Sequence, residues 1–274
     1  MSALVNFCTF EVMDGATVVS VSSQNDLHPA EHAIAPLEPN FAWEAAGSST
    51  EHTITIDLTE SRSCDGFTFI HHETDTILIT LDIQAEYSNN GTSWTSAPAD
   101  ALDYGPTHTL KLRYFATSIS ARYWRFTVSG VVAFEGSYIS GSAPDDTRVS
   151  AIWLFHLHEF DKGPALPYDD AMRYPNATAL LPFGKQFTTG YGNNRTAFFS
   201  RSWMLNSTER VALWEVIRNC NGVYRPLIFI DVDGTRRLCK LGSNLIQEIV
   251  VDIGVYQTTI TLVELPIVKK DRYY

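Results

Sequence analysis

The chain has 274 residues, of which 45% are apolar, 12% aromatic and 19% charged. This is the composition of a folded globular protein, and it excludes a disordered chain. No run approaches the ~18 apolar residues of a membrane-spanning helix, so no membrane insertion is expected. The first residues lack the basic and long apolar segments of a secretory signal, so we expect synthesis and assembly in a cytosol.

Charge is divided unevenly along the chain. The net charge is −11; residues 1–160 carry 6 Lys and Arg against 20 Asp and Glu, while residues 161–274 carry 14 against 11. All eight histidines also lie in the first part. The asymmetry predicts two domains, and the acidic first one is not expected to bind nucleic acid, because it would repel phosphates.

The first 160 residues contain many short strand-like runs separated by turn signals. These runs are Leu4–Val12, Thr17–Val21, Thr53–Leu58, Gly66–His71, Ile77–Tyr87, Thr109–Phe115, Arg122–Val128 and Ile152–Phe160. The first two are joined at Asp14-Gly15, a favoured hairpin turn. Strands at this spacing without convincing helices predict an all-β sandwich over residues 1–160. In the seventh run, alternation predicts that Trp124, Phe126 and Val128 face the core.

Four segments, in order, resemble the discoidin (coagulation-factor C-type) and related galactose-binding-like domains. They are residues 29–34 followed by Trp43, the strand ITIDL at 54–58, the hairpin EYSNNGTSW at 86–94 and the strand SARYWRF at 120–126. The resemblance implies a jelly-roll β-sandwich. The family includes glycan, lipid and protein binders as well as structural modules, so fold alone does not give function. One departure is Thr59-Glu60, where the family usually has Gly-Lys.

Aromatic and amide side chains suggest a glycan-binding surface on this domain. Aromatic rings can stack on sugar rings, and the polar side chains beside them can bind hydroxyl groups. The alternative is packing in the core or at its rim. The candidate contact residues are Trp43, Tyr87, Asn89, Asn90, Trp94, Asp103 and Tyr104.

No metal or cofactor site is predicted. His156 and His158 lie two apart on one strand and His71-His72 end another, but a metal would need three or four such groups to converge. Calcium at Asp145-Asp146 or in the 23–50 loop is kept as an alternative without a named ligand set. The four cysteines have no metal-binding spacing and are expected to be buried free thiols, with disulfides within each half as the alternative: Cys8, Cys64, Cys220 and Cys239.

Residues 161–182 contain four prolines, which predicts a stiff, extended linker. Residues 183–274 then predict a small β-barrel or sandwich with one α-helix. Asn206 and Glu209 form a capping box at the start of that helix, and Asn221-Gly222 ends it. The glycine-rich stretch Gly184–Asn194 is expected to be an arm or a loop at an interface.

The segment FIDVDGT at 229–235 resembles the first motif of haloacid-dehalogenase-type phosphatases, in which Asp231 would be the nucleophile and Asp233 the acid–base residue. Those enzymes need a parallel α/β sheet, whereas the residues after Thr235 indicate strands without an intervening helix. We therefore expect a hairpin with its turn at Asp233-Gly234, and no enzyme.

The pattern R-x-W-x-L at 201–205, the capped helix, the segment before Leu227-Ile228-Phe229 and the closing strand with Tyr256 and Glu264 resemble the tail-tip and distal-tail proteins of long-tailed phages. The resemblance implies a homo-oligomeric ring, commonly a hexamer, that contacts other tail proteins in the virion. Candidate subunit-interface residues are Tyr191, Arg195, Arg236, Arg237 and Lys240, with a solvated edge strand as the alternative for the last three.

Two functions follow from these patterns. The first is a structural protein of a phage tail tip or baseplate, whose ring-forming C-terminal domain displays the sandwich for decoration or for contact with host-surface glycans. The second is a carbohydrate-binding module or adhesin without ring assembly.

Overall fold

A computed structural model gives the structure of the protein. It describes residues 5–35, 43–45, 51–71, 78–98, 103–104, 110–134, 137–139, 148–160, 165–173, 176–180, 186–190, 196–231, 234–242 and 247–265. The chain forms two compact units. Among the described residues, the N-terminal unit comprises Cys8–Leu157, and the C-terminal unit comprises residues 158–265 together with residues 5–7. No helix among the described residues is long and apolar enough to span a membrane.

The N-terminal unit is built almost entirely from antiparallel strands, with a short 3-10 helix at Glu11–Met13 and one turn of helix, α1, at Glu31–Ile34. Its strands are β1 (Val5–Thr9), which enters from the C-terminal unit, β2 (Thr17–Val21), β3 (Trp43–Glu44), β4 (Glu51–His71), β5 (Leu78–Ser88), β6 (Thr95–Ser96), β7 (Asp103–Tyr104), β8 (Leu110–Phe134), β9 (Ser137–Ile139) and β10 (Arg148–Phe160). The strand order is β10-β4-β8-β5-β6. Strand β2 pairs with β4, β3 with β10, and β7 and β9 with β8.

The core of this unit follows the alternation seen in the sequence. Trp124, Phe126 and Val128 of β8 are buried, whereas the residues between them are partly exposed. Trp153 of β10 is also fully buried and meets Phe10 edge to face at 5.0 Å between ring centroids. The predicted mainly β fold is confirmed, and the buried face predicted for Trp124, Phe126 and Val128 is correct.

Two of the predicted strand boundaries are wrong, because β4 and β8 are long, irregular strands. The predicted runs 53–58 and 66–71 both belong to β4, whose pairing with β8 shifts register between Asp57 and Arg62. Thr59, inside that irregularity, has φ +70°, and its N–H donates to Oδ1 of Asp57 at 2.7 Å. The side chain of Asp57 thus holds a backbone conformation that non-glycine residues rarely adopt.

The predicted hairpin of residues 4–21 is also wrong. The 3-10 helix follows β1, Gly15 at φ +71° completes the turn, and β2 pairs with β4. The irregularity in β4 and the 3-10 helix with its following turn carry most of the groups that line a pocket on this unit.

The C-terminal unit combines one helix with antiparallel strands. Its elements are β11 (Ala165–Arg173), β12 (Asn176–Leu180), β13 (Gln186–Gly190), β14 (Thr196–Asn206), α2 (Ser207–Asn219), β15 (Leu227–Ile230), β16 (Arg236–Leu241), β17 (Gln247–Asp252) and β18 (Val255–Glu264). The strand order is β11-β14-β18-β16-β15, followed by the start of β1, with β17 on β18 and β12 on β13. The single-helix β-domain agrees with the prediction.

Helix α2 begins where the sequence predicted it. The side chain of Asn206 accepts hydrogen bonds from the N–H groups of Thr208 and Glu209, and the carboxylate of Glu209 accepts one from the N–H of Asn206 at 2.8 Å. Leu213, Val216 and Ile217 are buried in a core that includes Trp203 and Phe229.

The predicted domain limits at residues 160 and 182 stay a prediction. Within the predicted linker, however, Ala165–Arg173 pairs with β14, and Asn176–Leu180 pairs with Gln186–Gly190. Proline therefore does not keep this stretch out of β-structure, since edge strands tolerate residues that lack an N–H donor.

Candidate functional site

A pocket of about 390 Å³ opens on the N-terminal unit. It lies where the 3-10 helix and its following turn meet the irregular part of β4 and the end of β10. This volume is in the range of pockets that hold small ligands. The lining residues are Glu11, Val12, Asp14, Glu60, Arg62, Ser63 and His156.

Arg62 connects the two sides of the pocket. Its Nη1 donates to the backbone carbonyl oxygens of Val12 at 3.0 Å and of Asp14 at 2.6 Å. Its Nε donates to Oε1 of Glu60 at 3.2 Å, and Nη2 lies 3.1 Å from the same oxygen. The guanidinium thus fixes the turn after the 3-10 helix against β4, because its planar fork of donors fits several acceptors at once.

Three carboxylates give the pocket its acceptors. Glu60 is 70% exposed, which leaves its second oxygen open to a ligand, and Asp14 is also exposed. Oε1 of Glu11 lies 4.0 Å from Nε2 of His156. Carboxylates of this kind accept hydrogen bonds from hydroxyl or amino groups.

Asp65 supports the pocket from behind His156. Its Oδ2 lies 3.4 Å from Nδ1 of His156 and accepts the N–H of Leu157 at 2.9 Å, while the hydroxyl of Ser118 donates to Oδ1. Burial raises the pKa of Asp65, but these hydrogen bonds and the nearby imidazole outweigh it, so the pKa lies below its ordinary value. Asp65 is therefore ionised at neutral pH and orients the His156 ring.

The side chains around the pocket offer hydrogen-bond groups to a ligand. Within the part of the chain that the structure describes, no three His, Cys, Asp or Glu side chains are placed to hold a metal ion. The pocket instead combines hydrogen-bond acceptors, a hydroxyl at Ser63 and an imidazole around an open volume. A ligand rich in hydroxyl groups matches this lining.

Of the predicted glycan-contact residues, those whose side chains the structure describes do not form one surface. Trp43 is fully buried, and its Nε1 donates to the carbonyl oxygen of Ser23 at 3.1 Å. The prediction that it stacks on a sugar at the surface is therefore wrong, because the ring is part of the core.

Trp94 and Tyr87 point to opposite faces of the sheet. The Trp94 ring is covered by the guanidinium of Arg125 at 4.4 Å, and Arg125 is held by Glu86 at 2.7 Å. Tyr87 lies over buried Trp124, with 5.8 Å between ring centroids. Trp124 and Arg125 are neighbours in β8 and therefore face opposite sides of the sheet, so the rings that contact them do not form a single platform.

Asn89 and Asn90 lie between these two rings in the sequence, and their side-chain oxygens accept hydrogen bonds from backbone N–H groups. Oδ1 of Asn90 accepts the N–H groups of Thr92 and Ser93, each at 2.9 Å. Oδ1 of Asn89 accepts the N–H of Arg122 at 3.3 Å. These contacts make the two asparagines turn residues.

Asp103 and Tyr104 lie on β7, which pairs with Leu112 and Lys111 of β8. The hairpin of residues 88–94 is paired with another part of β8, near Tyr123 and Arg125. The structure therefore does not join the two groups along this strand, and the side chains of Asp103 and Tyr104 are outside the described residues.

The predicted interface residues Arg236, Arg237 and Lys240 are partly exposed on β16. This strand pairs with β15 on one side and β18 on the other, so it is not the edge strand considered as the alternative. Tyr191 and Arg195 lie outside the described residues. The interface role stays a prediction.

The cysteines and the phosphatase-like segment, as far as the structure describes them, have structural roles. All four cysteines are buried free thiols, as expected. Strands β15 and β16 are antiparallel, and Asp231 pairs with Arg201, so the phosphatase-like segment forms the predicted hairpin rather than a parallel α/β site. Asp233, Asp145, Asp146 and His72 and the His71 side chain are outside the described residues.

Most residues of the pocket carry no signal in the sequence. Glu11, Asp14 and Arg62 have no motif, because they converge only when the 3-10 helix packs on the irregular strand. The one signal was the departure from the family pattern at Thr59-Glu60. That departure coincides with the irregularity in β4 and places Glu60 at the pocket.

Comparison with protein families supports the resemblance of the first half. Residues 17–139 match the family model described as the F5/8 type C domain. These residues are therefore similar to a discoidin-like domain, as the four segments indicated. No curated protein matches the chain.

Three solved structures from Clostridium perfringens show similarity to about half of the chain. A family 32 carbohydrate-binding module of a family 31 glycoside hydrolase is 16% identical, with a TM-score of 0.39, over 53% of this chain and 92% of the module. A family 32 module in complex with galactose is 14% identical, with a TM-score of 0.37, over 54% and 99%. A further module, in complex with GalNAc-β-1,3-galactose, is 16% identical, with a TM-score of 0.40, over 54% and 99%.

Proposed function

We propose that the N-terminal unit is a non-catalytic carbohydrate-binding module that holds a glycan in the pocket between the 3-10 helix and β4. The observation that carries this proposal is the polar pocket of about 390 Å³ inside a unit whose residues 17–139 match the F5/8 type C family. Glu60 and Asp14 would accept hydrogen bonds from sugar hydroxyls, and Arg62 would keep both in place.

The test measures glycan binding by the purified chain and by two variants. Isothermal titration with neutral mono- and disaccharides, selected on a glycan array, gives the affinity. Glu60→Gln should weaken binding about tenfold, because a hydrogen bond to a charged acceptor becomes one to a neutral acceptor. The side chain is exposed, so this variant should fold normally.

Trp94→Ala is the matched control on the predicted hairpin surface. If the pocket is the site, Trp94→Ala leaves the affinity unchanged. Loss of binding in Trp94→Ala with normal affinity in Glu60→Gln would instead show that the glycan binds at the hairpin. Absence of binding to every glycan on the array would reject the module function.

A second function, assembly with copies of itself, is favoured by one surface of the C-terminal unit. In β17 and the turn after it, Ile249, Val250, Val251 and Ile253 are 50–98% exposed. Among the described strands β17 pairs only with β18. An apolar strand with an unpaired edge is a template for pairing with another chain.

Light scattering after size exclusion tests this second proposal. Val250→Lys should lower the oligomer mass, whereas Val19→Lys, at a similarly exposed valine of the N-terminal unit, should not. A monomeric wild-type chain would reject self-association. The ring, the hexamer and the place in a phage tail tip stay predictions that such an oligomer would support.

A further inference from the structure

Arg122 stands opposite the irregular part of β4, although it does not line the pocket. Asp57 of β4 is paired with Tyr123 of β8, and the next pair is Arg62 with Ala121. Four residues of β4 therefore lie between the two pairs, against one residue of β8, which is Arg122. An excess of residues on one strand disrupts the ladder locally, so other contacts must hold the backbone there.

We infer that Arg122 is a positioning residue of the pocket, which acts through Asp57 on the turn that carries Glu60. The inference rests on the proposed glycan-binding function, because it names a residue that sets the affinity of the same site. It goes beyond that function by assigning part of the affinity to a side chain that no ligand in the pocket needs to touch.

The first link is an ion pair with two hydrogen bonds. Nε of Arg122 donates to Oδ1 of Asp57 and Nη2 donates to Oδ2, each at 2.8 Å. Chiefly because of these bonds, the pKa of Asp57 lies below its ordinary value, although burial acts in the opposite direction. Asp57 is therefore ionised at neutral pH, and the planar guanidinium fixes the orientation of its carboxylate.

The second link joins Asp57 to the turn in β4. Its Oδ1 also accepts the N–H of Thr59 at 2.7 Å. Thr59 has φ +70°, which a β-branched residue rarely adopts, so this conformation depends on the contacts around it. Glu60 follows directly in the chain and lines the pocket, so the backbone at Thr59 sets where the exposed Glu60 carboxylate lies.

Arg122 has further contacts that keep it in place. Its N–H donates to Oδ1 of Asn89 at 3.3 Å, and its guanidinium carbon lies 4.8 Å from the ring centroid of Tyr123, within the range of a cation–π contact. The side chain of Arg122 is 41% exposed, and an ion pair at such a position fixes a geometry only when its side chains are held. These contacts supply that support.

The binding experiment compares two arginines of β8 that each pair with a carboxylate. Arg122→Gln breaks the link to Asp57. Arg125→Gln is the matched control, because Nε of Arg125 donates to Glu86 at 2.7 Å and its side chain is 33% exposed. The probes are galactose, glucose, mannose and the neutral glycans selected on the array. The sugar that binds the wild-type chain should bind Arg122→Gln about fivefold more weakly, as expected for coupling within one hydrogen-bond network, and Arg125→Gln with unchanged affinity.

A double-mutant cycle distinguishes positioning from a general loss of structure. If Arg122 acts through Glu60, Arg122→Gln should cost less than about twofold in affinity once Glu60→Ala has removed that side chain. A full loss in the Glu60→Ala background would overturn the inference, because Arg122 would then affect binding by another route. Circular dichroism and urea denaturation confirm that the titrated variants are folded.

Amide hydrogen exchange tests the same link without a ligand. The N–H of Thr59 is bonded to Asp57, so exchange across residues 58–62 should be at least about tenfold faster in Arg122→Gln than in the wild type. In Arg125→Gln the same segment should exchange at the wild-type rate. Unchanged exchange in Arg122→Gln would overturn the inference whatever the sugars do, because the turn would then be held without this residue.

The outcomes separate this inference from the proposed function. Normal affinity in Arg122→Gln, together with a loss in Glu60→Gln, would overturn the inference and leave the glycan-binding function intact. Equal losses in Arg122→Gln and Arg125→Gln would also overturn it, because the effect would then belong to β8 as a whole. Absence of binding by the wild-type chain to every glycan on the array would overturn the proposed function, and the inference with it.

Discussion

Arg201 and Asp231 form a buried ion pair in the C-terminal unit, with 2.8 Å between Nη2 and Oδ2. Their side chains are 2% and 7% exposed. We expect Asp231→Ala to destabilise the protein by about 3–5 kcal/mol, because it leaves a buried guanidinium without its counter-charge. Urea denaturation of the variant and the wild type measures the change.

A double replacement separates the free-energy cost of leaving one buried charge unpaired from the net contribution of the ion pair to stability. Arg201→Met combined with Asp231→Leu removes both charges and should lose less stability than Asp231→Ala alone, since apolar side chains of similar volume fill the site. A loss below about 1 kcal/mol in Asp231→Ala would show that the guanidinium finds another partner or water.

Gly66 lies where β4 passes close to Arg113 of β8 and Phe155 of β10. A Cβ at this position would overlap the carbonyl oxygen of Arg113 and lie 2.6 Å from Cζ of Phe155. Gly66→Ala should therefore cost about 1–3 kcal/mol through overpacking, and more if the backbone must move. Thermal unfolding checks this, with the exposed Ser96→Ala in β6 as the control that should change little.

Much of the fold could be predicted because its signals are local. The alternation of Tyr123, Trp124 and Arg125 gives the buried face of β8 directly, since the side-chain period of a strand is two. The Asn206–Glu209 capping box needs no distant partner. Local signals do not give the pairing partner of a strand. Asp14-Gly15 predicted a hairpin, but β2 pairs with β4.

The candidate site could not be predicted for the same reason. Glu11 and His156 are 145 positions apart and meet only in the folded unit. The aromatic residues that suggested a glycan surface gave a misleading signal, because burial of Trp43 and the cation–π contact of Trp94 serve packing. Polarity and aromaticity identify candidates, whereas only the fold shows which of them face an open volume.

His52 should make stability depend on pH. His52 is 1% exposed, its Nδ1 lies 3.0 Å from the hydroxyl of Ser23, and burial lowers the pKa of the ring below its ordinary value of 6.5. The unfolded chain then binds more protons than the folded one as pH falls below 6.5, so stability is lost in that direction. For one such proton the slope is at most about 1.4 kcal/mol per pH unit.

Urea denaturation at several pH values between neutral and mildly acidic measures this slope. His52→Gln removes the titrating group and should flatten it, even if the variant is less stable at neutral pH. His28→Gln, at a partly exposed histidine, is the control. An unchanged slope in His52→Gln would contradict the assignment.

The N-terminal cap of α2 can be tested through contacts between residues that are close in the sequence. Asn206 accepts the N–H groups of Thr208 and Glu209, each at 2.9 Å, and so satisfies two donors at the end of the helix. Asn206→Ala should cost about 1 kcal/mol of unfolding free energy, within the range of 0.5–2 kcal/mol known for such caps. Asn206→Asp should restore most of the loss, because a carboxylate accepts the same bonds and favours the positive end of the helix dipole. Glu215→Ala, exposed on the same helix, is the matched control; a loss there equal to that of Asn206→Ala would assign the effect to the helix as a whole and not to its cap.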